Sequence, residues 1–308
     1  MIGCYFSGRL GNQLFRYAFV RRLWAERGGR DALLFNFRRV ESGVGEGFVD
    51  SLRHFRVLPY VRDDRSLVLR HGTVHQRCIY GAYRFSEAAC RRLSRRCDVS
   101  GAYRERLLRA GIVVLGSGDG DRRVAVPPLE RVFVNGFFEN RMYFDAIRPI
   151  LLRELVPCEP PLSGNARLYA RMAECESVCV SVRRGDYLSS TYRDGFYVCD
   201  ADYFVRAMAA IRKRVPNPQF VFFSDDIDWV RQQSWVPSGS LFEHGDDPVW
   251  EKLRLMSSCK HFIISNSSFS WWAQYLGQYA GKVVVSPRHW FNRKDWVSYL
   301  VEDDFVKC

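Results

Sequence analysis

The second half of the chain alternates between short apolar runs and stretches with helical spacing, and this alternation restricts the fold more than any other feature. The apolar runs cover residues 178–182, 220–223, 262–265 and 283–285, and the helix-like stretches cover 202–214, 249–259 and 269–279. Strands that alternate with helices predict a parallel, doubly wound α/β sheet. Right-handed crossovers place the loops that follow these strands at one edge of the sheet, where ligands of open α/β sheets bind.

The first half of the chain begins in the same way. Residues 2–7 predict a strand, a glycine-containing loop follows, and aromatic residues then recur at helical spacing. Residues 32–37 and 130–138 predict two further strands. Residues 38–123 are rich in arginine and have no clear period, so they predict no definite elements.

A break between two domains is predicted at residues 156–164, which contain three prolines and a glycine. A chain of 308 residues has room for two domains of ordinary size. We therefore predict an N-terminal domain at 1–156 and a C-terminal domain at 165–308. A C-terminal tail that packs back on the first domain is an alternative to one that stays with the second.

Two adjacent arginines, Arg183 and Arg184, follow the first apolar run of the second half and precede Gly185 and Asp186. A guanidinium is always charged and presents a planar fork of donors that fits phosphate oxygens. The position at the end of a strand favours a clamp for a phosphorylated ligand. Surface arginines that pair with carboxylates are the competing interpretation.

An acidic turn follows the second apolar run, with Asp225 and Asp226 at the end of the predicted strand. A carboxylate there can accept hydrogen bonds from a nucleobase or a ribose hydroxyl. Asp226 and Asp228 also have the DxD spacing of metal-dependent nucleotide-sugar enzymes. A helix N-terminus rich in acidic residues is the third interpretation.

Two further loops combine small and polar residues. Asn266, Ser267, Ser268, Phe269 and Ser270 connect an apolar run to a helix, where free N–H groups and hydroxyls can bind an anion or simply cap the helix. The first loop contains Gly8, Gly11, Asn12 and Gln13 but lacks the third glycine of GxGxxG and a Walker lysine. Its uncharged amides suit a sugar, although a tight turn before a helix explains it equally well.

The formal charge of +12 admits phosphorylated ligands, anionic membranes or nucleic acid as partners. The basic residues form no long tail, so nucleic acid is the weaker prediction. The sequence shows no apolar run long enough to span a membrane and no CxxC pair among its ten cysteines. We expect reduced thiols and a cytoplasmic location.

Taken together, these motifs resemble the α-1,2-fucosyltransferase family and its relatives among the α-1,6- and protein O-fucosyltransferases. The family carries GxLGNQ, HxRRGDY, FSDDxxW and a segment similar to NSTFSWW. This chain has GRLGNQ at 8–13, SVRRGDY at 181–187, FSDDIDW at 223–229 and NSSFSWW at 266–272. The four motifs occur in family order, and PRHWF at 287–291 resembles the family's late PxxWF segment.

The resemblance implies a GT-B fold, with two Rossmann-like domains and a cleft between them. It implies GDP-fucose in the C-terminal domain, a glycan acceptor on the N-terminal domain, and inverting transfer of L-fucose, most simply to the 2-hydroxyl of a galactoside. No metal and no further cofactor are expected, because the related enzymes use arginines in place of a cation. Transfer with another linkage and a catalytically weak glycan- or nucleic-acid-binding protein are the alternatives.

The resemblance also assigns roles to residues. Arg183 and Arg184 would stabilise the leaving diphosphate, Asp225 or Asp226 would contact guanine or ribose, and the amides of the first loop would line the sugar side. Asp186, Asp194 and Glu139 are candidates for the base. Ser181 stands where the family has histidine. The loss of that histidine would weaken donor binding or shift nucleotide choice, unless the serine hydroxyl takes its place at the donor. Peripheral contact with the inner face of an anionic membrane, near lipid-linked glycans, is a further expectation.

Overall fold

The computed structural model describes residues 1–43, 45, 47–92, 99–116 and 119–308. The chain divides into two compact units. The first contains Met1–Arg53 and Val57–Glu154, and the second contains His54–Arg56 and Leu155–Cys308. The chain therefore passes from the first unit to the second at Glu154, just before the proline-rich segment.

The first unit is built on a parallel five-stranded sheet. Its strands are β1 (Ile2–Tyr5), β2 (Leu33–Asn36), β3 (Val61–Arg62), β4 (Ile112–Leu115) and β5 (Val132–Gly136), in the order β3-β2-β1-β5-β4. Its helices are α1 (Leu10–Glu26), α2 (Arg38–Glu41), α3 (Leu67–His71), α4 (Val74–Arg92), α5 (Val99–Arg109) and α6 (Arg148–Glu154). The strands predicted at both ends of this unit are confirmed, and the arginine-rich middle adds β3, β4 and α2 to α5.

The turn between β1 and α1 depends on Gly8, whose φ of 75° lies in the left-handed region. A Cβ there would come within 3.0 Å of the Asn12 side chain. Glycine supplies this conformation at little steric cost. The turn therefore places the start of α1, with Gly11, Asn12 and Gln13, at the carboxyl end of β1.

The second unit is built on a parallel six-stranded sheet. Its strands are β6 (Glu176–Val182), β7 (Pro218–Ser224), β8 (Leu241–Phe242), β9 (His261–Ile263), β10 (Val284–Ser286) and β11 (Val306–Lys307), in the order β11-β10-β9-β6-β7-β8. Its helices are α7 (Ala166–Glu174), α8 (Arg193–Phe196), α9 (Ala201–Arg212), α10 (Ile227–Arg231), α11 (Val249–Ser257) and α12 (Ser268–Leu276). The predicted doubly wound α/β sheet is confirmed, and the C-terminal tail supplies its edge strand β11.

Helix α9 shows how sequence pattern and packing agree in the second unit. Its N-cap residue Asp200 accepts a hydrogen bond from the backbone N–H of Tyr203 at 2.8 Å. Phe204, Ala207, Met208 and Ile211 then lie three or four residues apart and are buried against the sheet. Burial of one apolar face of each helix fixes the sheet, and with it the positions of the strand ends.

Two further predictions, on the cysteines and on membrane-spanning helices, can be compared with the described residues. Eight described cysteines are free thiols, but Cys90 is disulfide-bonded, so the expectation of reduced thiols is wrong at that position. Within the described part of the chain, every helix is too short or too polar to cross a membrane.

Candidate functional site

The carboxyl ends of β6, β7 and β9 are adjacent in the second sheet, and three of the predicted polar motifs follow these strands. Arg183 directly follows β6, and its guanidinium lies 2.6 Å from Asp225, which directly follows β7. The same guanidinium binds Asp186. Burial lowers the pKa of Arg183, but the charges of Asp225 and Asp186 outweigh it and raise the pKa above its usual value. Arg183 is therefore a fixed positive charge held by two carboxylates.

Arg184 is fixed by a different set of contacts. Its backbone N–H donates to Asp225 at 2.9 Å, and its Nε donates to Asp226 at 3.1 Å. Its guanidinium carbon lies 3.4 Å from the centre of the Trp229 ring, close enough for a cation–π contact. Asp226 is also the N-cap residue of α10 and accepts from the backbone N–H of Trp229. The acidic turn thus orients both arginines.

Gly185 is required by the close approach of the two strand ends. A Cβ at this position would lie 2.5 Å from Oδ2 of Asp225. A side chain here would displace the Asp225 carboxylate from Arg183 and from the backbone N–H of Arg184. The glycine therefore leaves room for the Asp225 carboxylate beside Arg183 and the backbone of Arg184.

The turn before α12 is joined to the arginine loop through Tyr187. The Tyr187 hydroxyl donates to the carbonyl of Asn266 at 2.9 Å, and its ring lies 5.5 Å from the guanidinium carbon of Arg183. The side-chain amide of Asn266 donates to the carbonyls of Phe196 and Trp290 at 2.8 and 2.9 Å. Asn266 is almost completely buried, so its side chain positions the turn.

Three serine hydroxyls form a buried group behind this turn. Ser181 lies 2.6 Å from Ser270, and Ser270 lies 3.1 Å from Ser265. Ser181 is 7% exposed, so its hydroxyl connects the end of β6 to the first turn of α12. Partly exposed Ser267, Ser268 and Phe269 open this nine-residue helix, while Trp271 and Trp272 are fully buried core residues. The first N–H groups of α12 thus lie on the same edge as the arginines.

The amides of the first loop have different environments in the first unit. Gln13 is fully buried, donates to the carbonyls of Gly8 and Val49, and accepts from the N–H of Ser51. Gly11 is buried in the first turn of α1. The Asn12 amide instead donates to Oε1 of Glu139 at 3.2 Å. Of these three residues, Asn12 is the one whose side chain is hydrogen-bonded to a titratable group, the Glu139 carboxyl.

Glu139 follows β5 and borders a small depression at the carboxyl end of the first sheet. Burial raises the pKa of Glu139 to about 7, and the positive charge of Arg16 opposes this shift. The preceding residue, Phe138, has a φ of 55°, and its ring stacks on Phe19 at 4.0 Å. A left-handed aromatic residue is rare and persists only where packing fixes it. Glu139 is therefore a half-buried carboxyl on a rigid turn.

Two of the predicted acidic residues lie apart from these contacts. Asp194 is exposed in α8, and the side chain of Asp228 is 89% exposed. Among residues 1–43, 45, 47–92, 99–116 and 119–308, no group of three or more His, Cys, Asp or Glu side chains is arranged to hold a metal ion.

A buried contact that sequence reasoning missed supports the acidic turn from behind. Glu243 is fully buried and accepts from the backbone N–H of Ser224 at 2.6 Å. The Lys252 ammonium lies 3.0 Å from Glu243 and donates to the carbonyl of Ser224 at 3.1 Å. Glu243 belongs to no motif, and a single acidic residue after a two-residue strand carries no recognisable signal.

The chain matches glycosyl transferase family 11 over residues 117–299, which is more than half of its length. The chain belongs to this family. The predicted resemblance to the α-1,2-fucosyltransferase family is thereby confirmed at the level of the family.

Several curated relatives match parts of this family 11 chain. An α-1,2-colitosyltransferase of Escherichia coli is 31% identical over 173 residues, 53% of this chain and 58% of that protein. The human galactoside α-(1,2)-fucosyltransferase 1 is 34% identical over 103 residues, 32% of this chain and 28% of that protein. The chain thus spans little more than half the length of the E. coli relative.

The fold of this family 11 chain is similar to that of the fucosyltransferase NodZ from Bradyrhizobium. The TM-score is 0.51 at 15% sequence identity, over 89% of this chain and 91% of that structure. The predicted GT-B fold class is confirmed by this likeness and by the two parallel sheets.

Proposed function

We propose that this family 11 protein is an inverting glycosyltransferase that moves L-fucose from GDP-fucose to a sugar hydroxyl, with the 2-hydroxyl of a galactoside as acceptor. One observation carries the proposal: Arg183 and Arg184 are held at the carboxyl edge of the second sheet by Asp225, Asp226 and Asp186. Two fixed guanidinium groups at this edge suit a diphosphate. The names of the relatives support the class of sugar and the α-1,2 linkage.

In the proposed reaction, the acceptor oxygen forms a bond to the anomeric carbon of fucose while the bond from that carbon to the β-phosphate oxygen breaks. Negative charge develops on the departing GDP. Arg183 and Arg184, with the first N–H groups of α12, stabilise that charge, because fixed donors aimed at developing charge lower the barrier. Asp225 and Asp226 orient the arginines, and we assign contacts with the nucleoside to the same acidic turn.

The acceptor hydroxyl must lose its proton as the new bond forms. Asp186 is bound by Arg183 and Asp194 is exposed in a short helix. Glu139 has a pKa of about 7 and receives a hydrogen bond from Asn12 of the family's first motif. A base with a pKa near the working pH is the most effective. We therefore propose that Glu139 accepts the proton of the acceptor hydroxyl.

The proposal is tested by GDP release from GDP-fucose with a panel of galactosides. Arg183→Ala and Arg184→Ala should each lower kcat by about 10²–10³-fold, the usual effect of removing one such donor. Arg167→Ala, a change of an exposed arginine in α7, is the matched control and should retain normal turnover. Near-normal turnover of both site variants, with all proteins folded, would disprove the clamp.

A colitosyl donor is a second candidate, because one relative at 31% identity is an α-1,2-colitosyltransferase. The same arginines would serve either donor, since both reactions would release a nucleotide. Parallel assays with GDP-fucose and a GDP-colitose donor separate the two candidates by the ratio of kcat/KM values. We also propose a cytoplasmic location, because eight of the nine described cysteines are free thiols, which a reducing compartment favours.

A further inference from the structure

Helix α4 of the first unit has apolar character on the face that points away from the core. Its inner face contains Gln76, Tyr80 and Tyr83, which are buried. The two tyrosines pack in the core of the first unit with Leu67 and Phe133. A helix that covers a core usually carries polar residues on its opposite face. In α4 the opposite face is apolar instead.

We define the outer face of α4 as Val74, Cys78, Ala82, Phe85 and Ala88, which are all exposed. These residues are three or four positions apart and therefore lie on one side of the helix. Val74 and Phe85 are each 76% exposed, the highest values among the large apolar residues of the described chain. Single exposed apolar residues are common, but a continuous stripe marks an interaction surface.

A row of arginines borders this stripe on one side. Arg77, Arg84 and Arg91 are seven positions apart, so they follow the helix along the same flank. Arg84 and Arg91 both contact Glu87, at 2.8 and 3.4 Å. Glu87 is the only carboxylate in the sequence from residue 67 to residue 92, whereas the same segment contains five arginines. The outer face therefore combines apolar side chains with an excess of positive charge.

This combination fits an anionic lipid surface. Amphipathic helices that lie in a bilayer interface insert apolar side chains and place arginines or lysines against lipid phosphates. Each basic residue near an anionic surface contributes about a fivefold gain in binding. A protein partner would need a groove of matching shape and acidic charge, whereas a bilayer with anionic headgroups offers both components to any such stripe.

We propose that the outer face of α4 and its arginine row form a docking surface for an anionic membrane. Phe85 and Val74 enter the interface between headgroups and acyl chains, and Arg77, Arg84 and Arg91 contact lipid phosphates. This inference does not depend on the donor or on the acceptor of the proposed reaction. It concerns a helix outside the residues assigned to transfer.

Co-sedimentation of the full chain with vesicles tests the proposal. The protein should pellet with vesicles of phosphatidylcholine mixed with phosphatidylglycerol, and salt should release it from them. Its binding to vesicles of phosphatidylcholine alone should be weaker by about tenfold or more. The double change Val74→Ser and Phe85→Ser should weaken binding to anionic vesicles by about tenfold or more. Arg77→Gln and Arg84→Gln should each weaken it by about fivefold at low salt.

Matched controls come from the second unit. Val205, which is 47% exposed in α9, and Arg167 supply Val205→Ser and Arg167→Gln, and both variants should bind like the unchanged protein. Circular dichroism melts establish that each variant is folded. Equal binding to neutral and anionic vesicles, or unaltered binding of the outer-face variants, would overturn the proposal. So would a dimer in gel filtration that Phe85→Ser dissociates, because the stripe would then bind a second copy.

Discussion

At the scale of single residues, Glu139 is the carboxyl that we propose as the base for the acceptor hydroxyl. Its pKa is raised to about 7 by burial. If it is the base, kcat/KM should fall about tenfold for each pH unit below 6, because only the carboxylate accepts a proton. Glu139→Gln should lower activity by about 10²–10⁴-fold and abolish this pH dependence. An unchanged acidic limb in an active Gln variant would assign the base elsewhere.

The same carboxyl should affect stability with a definite sign. A folded-state pKa raised above 4.5 means that the folded protein binds more protons than the unfolded chain between about pH 4.5 and 7. The stability from Glu139 is therefore present below pH 4.5 and is lost as the pH rises through about 7. Melting curves recorded from pH 4 to 9 give the free energy of unfolding at each pH. Across this interval the free energy of unfolding of Glu139→Gln should rise relative to that of the unchanged protein, by a difference on the order of 1–2 kcal/mol.

The acidic turn leads to a second prediction at the residue scale. Asp226 caps α10 and binds Arg184, and Asp228 is 89% exposed. Two carboxylates with such different environments give the DxD spacing no shared cation geometry. Activity with GDP-fucose should therefore be unaffected by EDTA. Loss of activity in EDTA and recovery with Mn²⁺ would restore the metal interpretation.

At the scale of elements, the junction of β6 and β7 depends on Gly185. A Cβ at this position meets a carboxylate oxygen of Asp225 at 2.5 Å. Gly185→Ala should displace the Asp225 carboxylate from Arg183 and lower kcat/KM by about 10²-fold, while the melting temperature changes little because the loop lies outside the core. Gly164→Ala is the matched control, since nothing lies within 4 Å of its Cβ position. Equal activity of the two variants would contradict the prediction.

The elements also show which parts of the fold the sequence can predict. Strands β6 and β7 are apolar runs buried on both faces, so their composition alone identifies them. Strands β8 and β11 have two residues each, and their pairing depends on distant partners. Helix α4 hides its pattern, because its buried face contains Gln76 and two tyrosines while its outer face is apolar. Hydrophobic period therefore fails where burial and polarity do not correspond.

The candidate site follows a similar rule. Arg183, Arg184 and Asp225 were predictable because parallel strands bring their carboxyl ends to one edge. The pairing of each arginine with its carboxylate was not predictable, since it depends on which side-chain contacts form in the loops after β6 and β7. The Ser181 hydroxyl points inward and lies 2.6 Å from that of Ser270, although its position in the motif predicts a contact with the sugar-nucleotide donor. The sequence predicts position along the strand, whereas packing decides which way a small side chain turns.

At the scale of the whole molecule, the two units have separate sheets and cores, so a ligand of one unit should stabilise that unit first. GDP at 100 times its Kd should stabilise the second unit by about 2.7 kcal/mol. For a unit of this size, this shift raises the melting temperature by roughly 5–10 °C. GMP lacks the β-phosphate that the arginines are proposed to hold, so it should give a much smaller shift at equal concentration. Arg183→Ala should lose most of the GDP effect, whereas Arg167→Ala should keep it. Equal shifts with GMP and GDP would show that the arginine pair does not bind the diphosphate, even if transfer to a galactoside were observed.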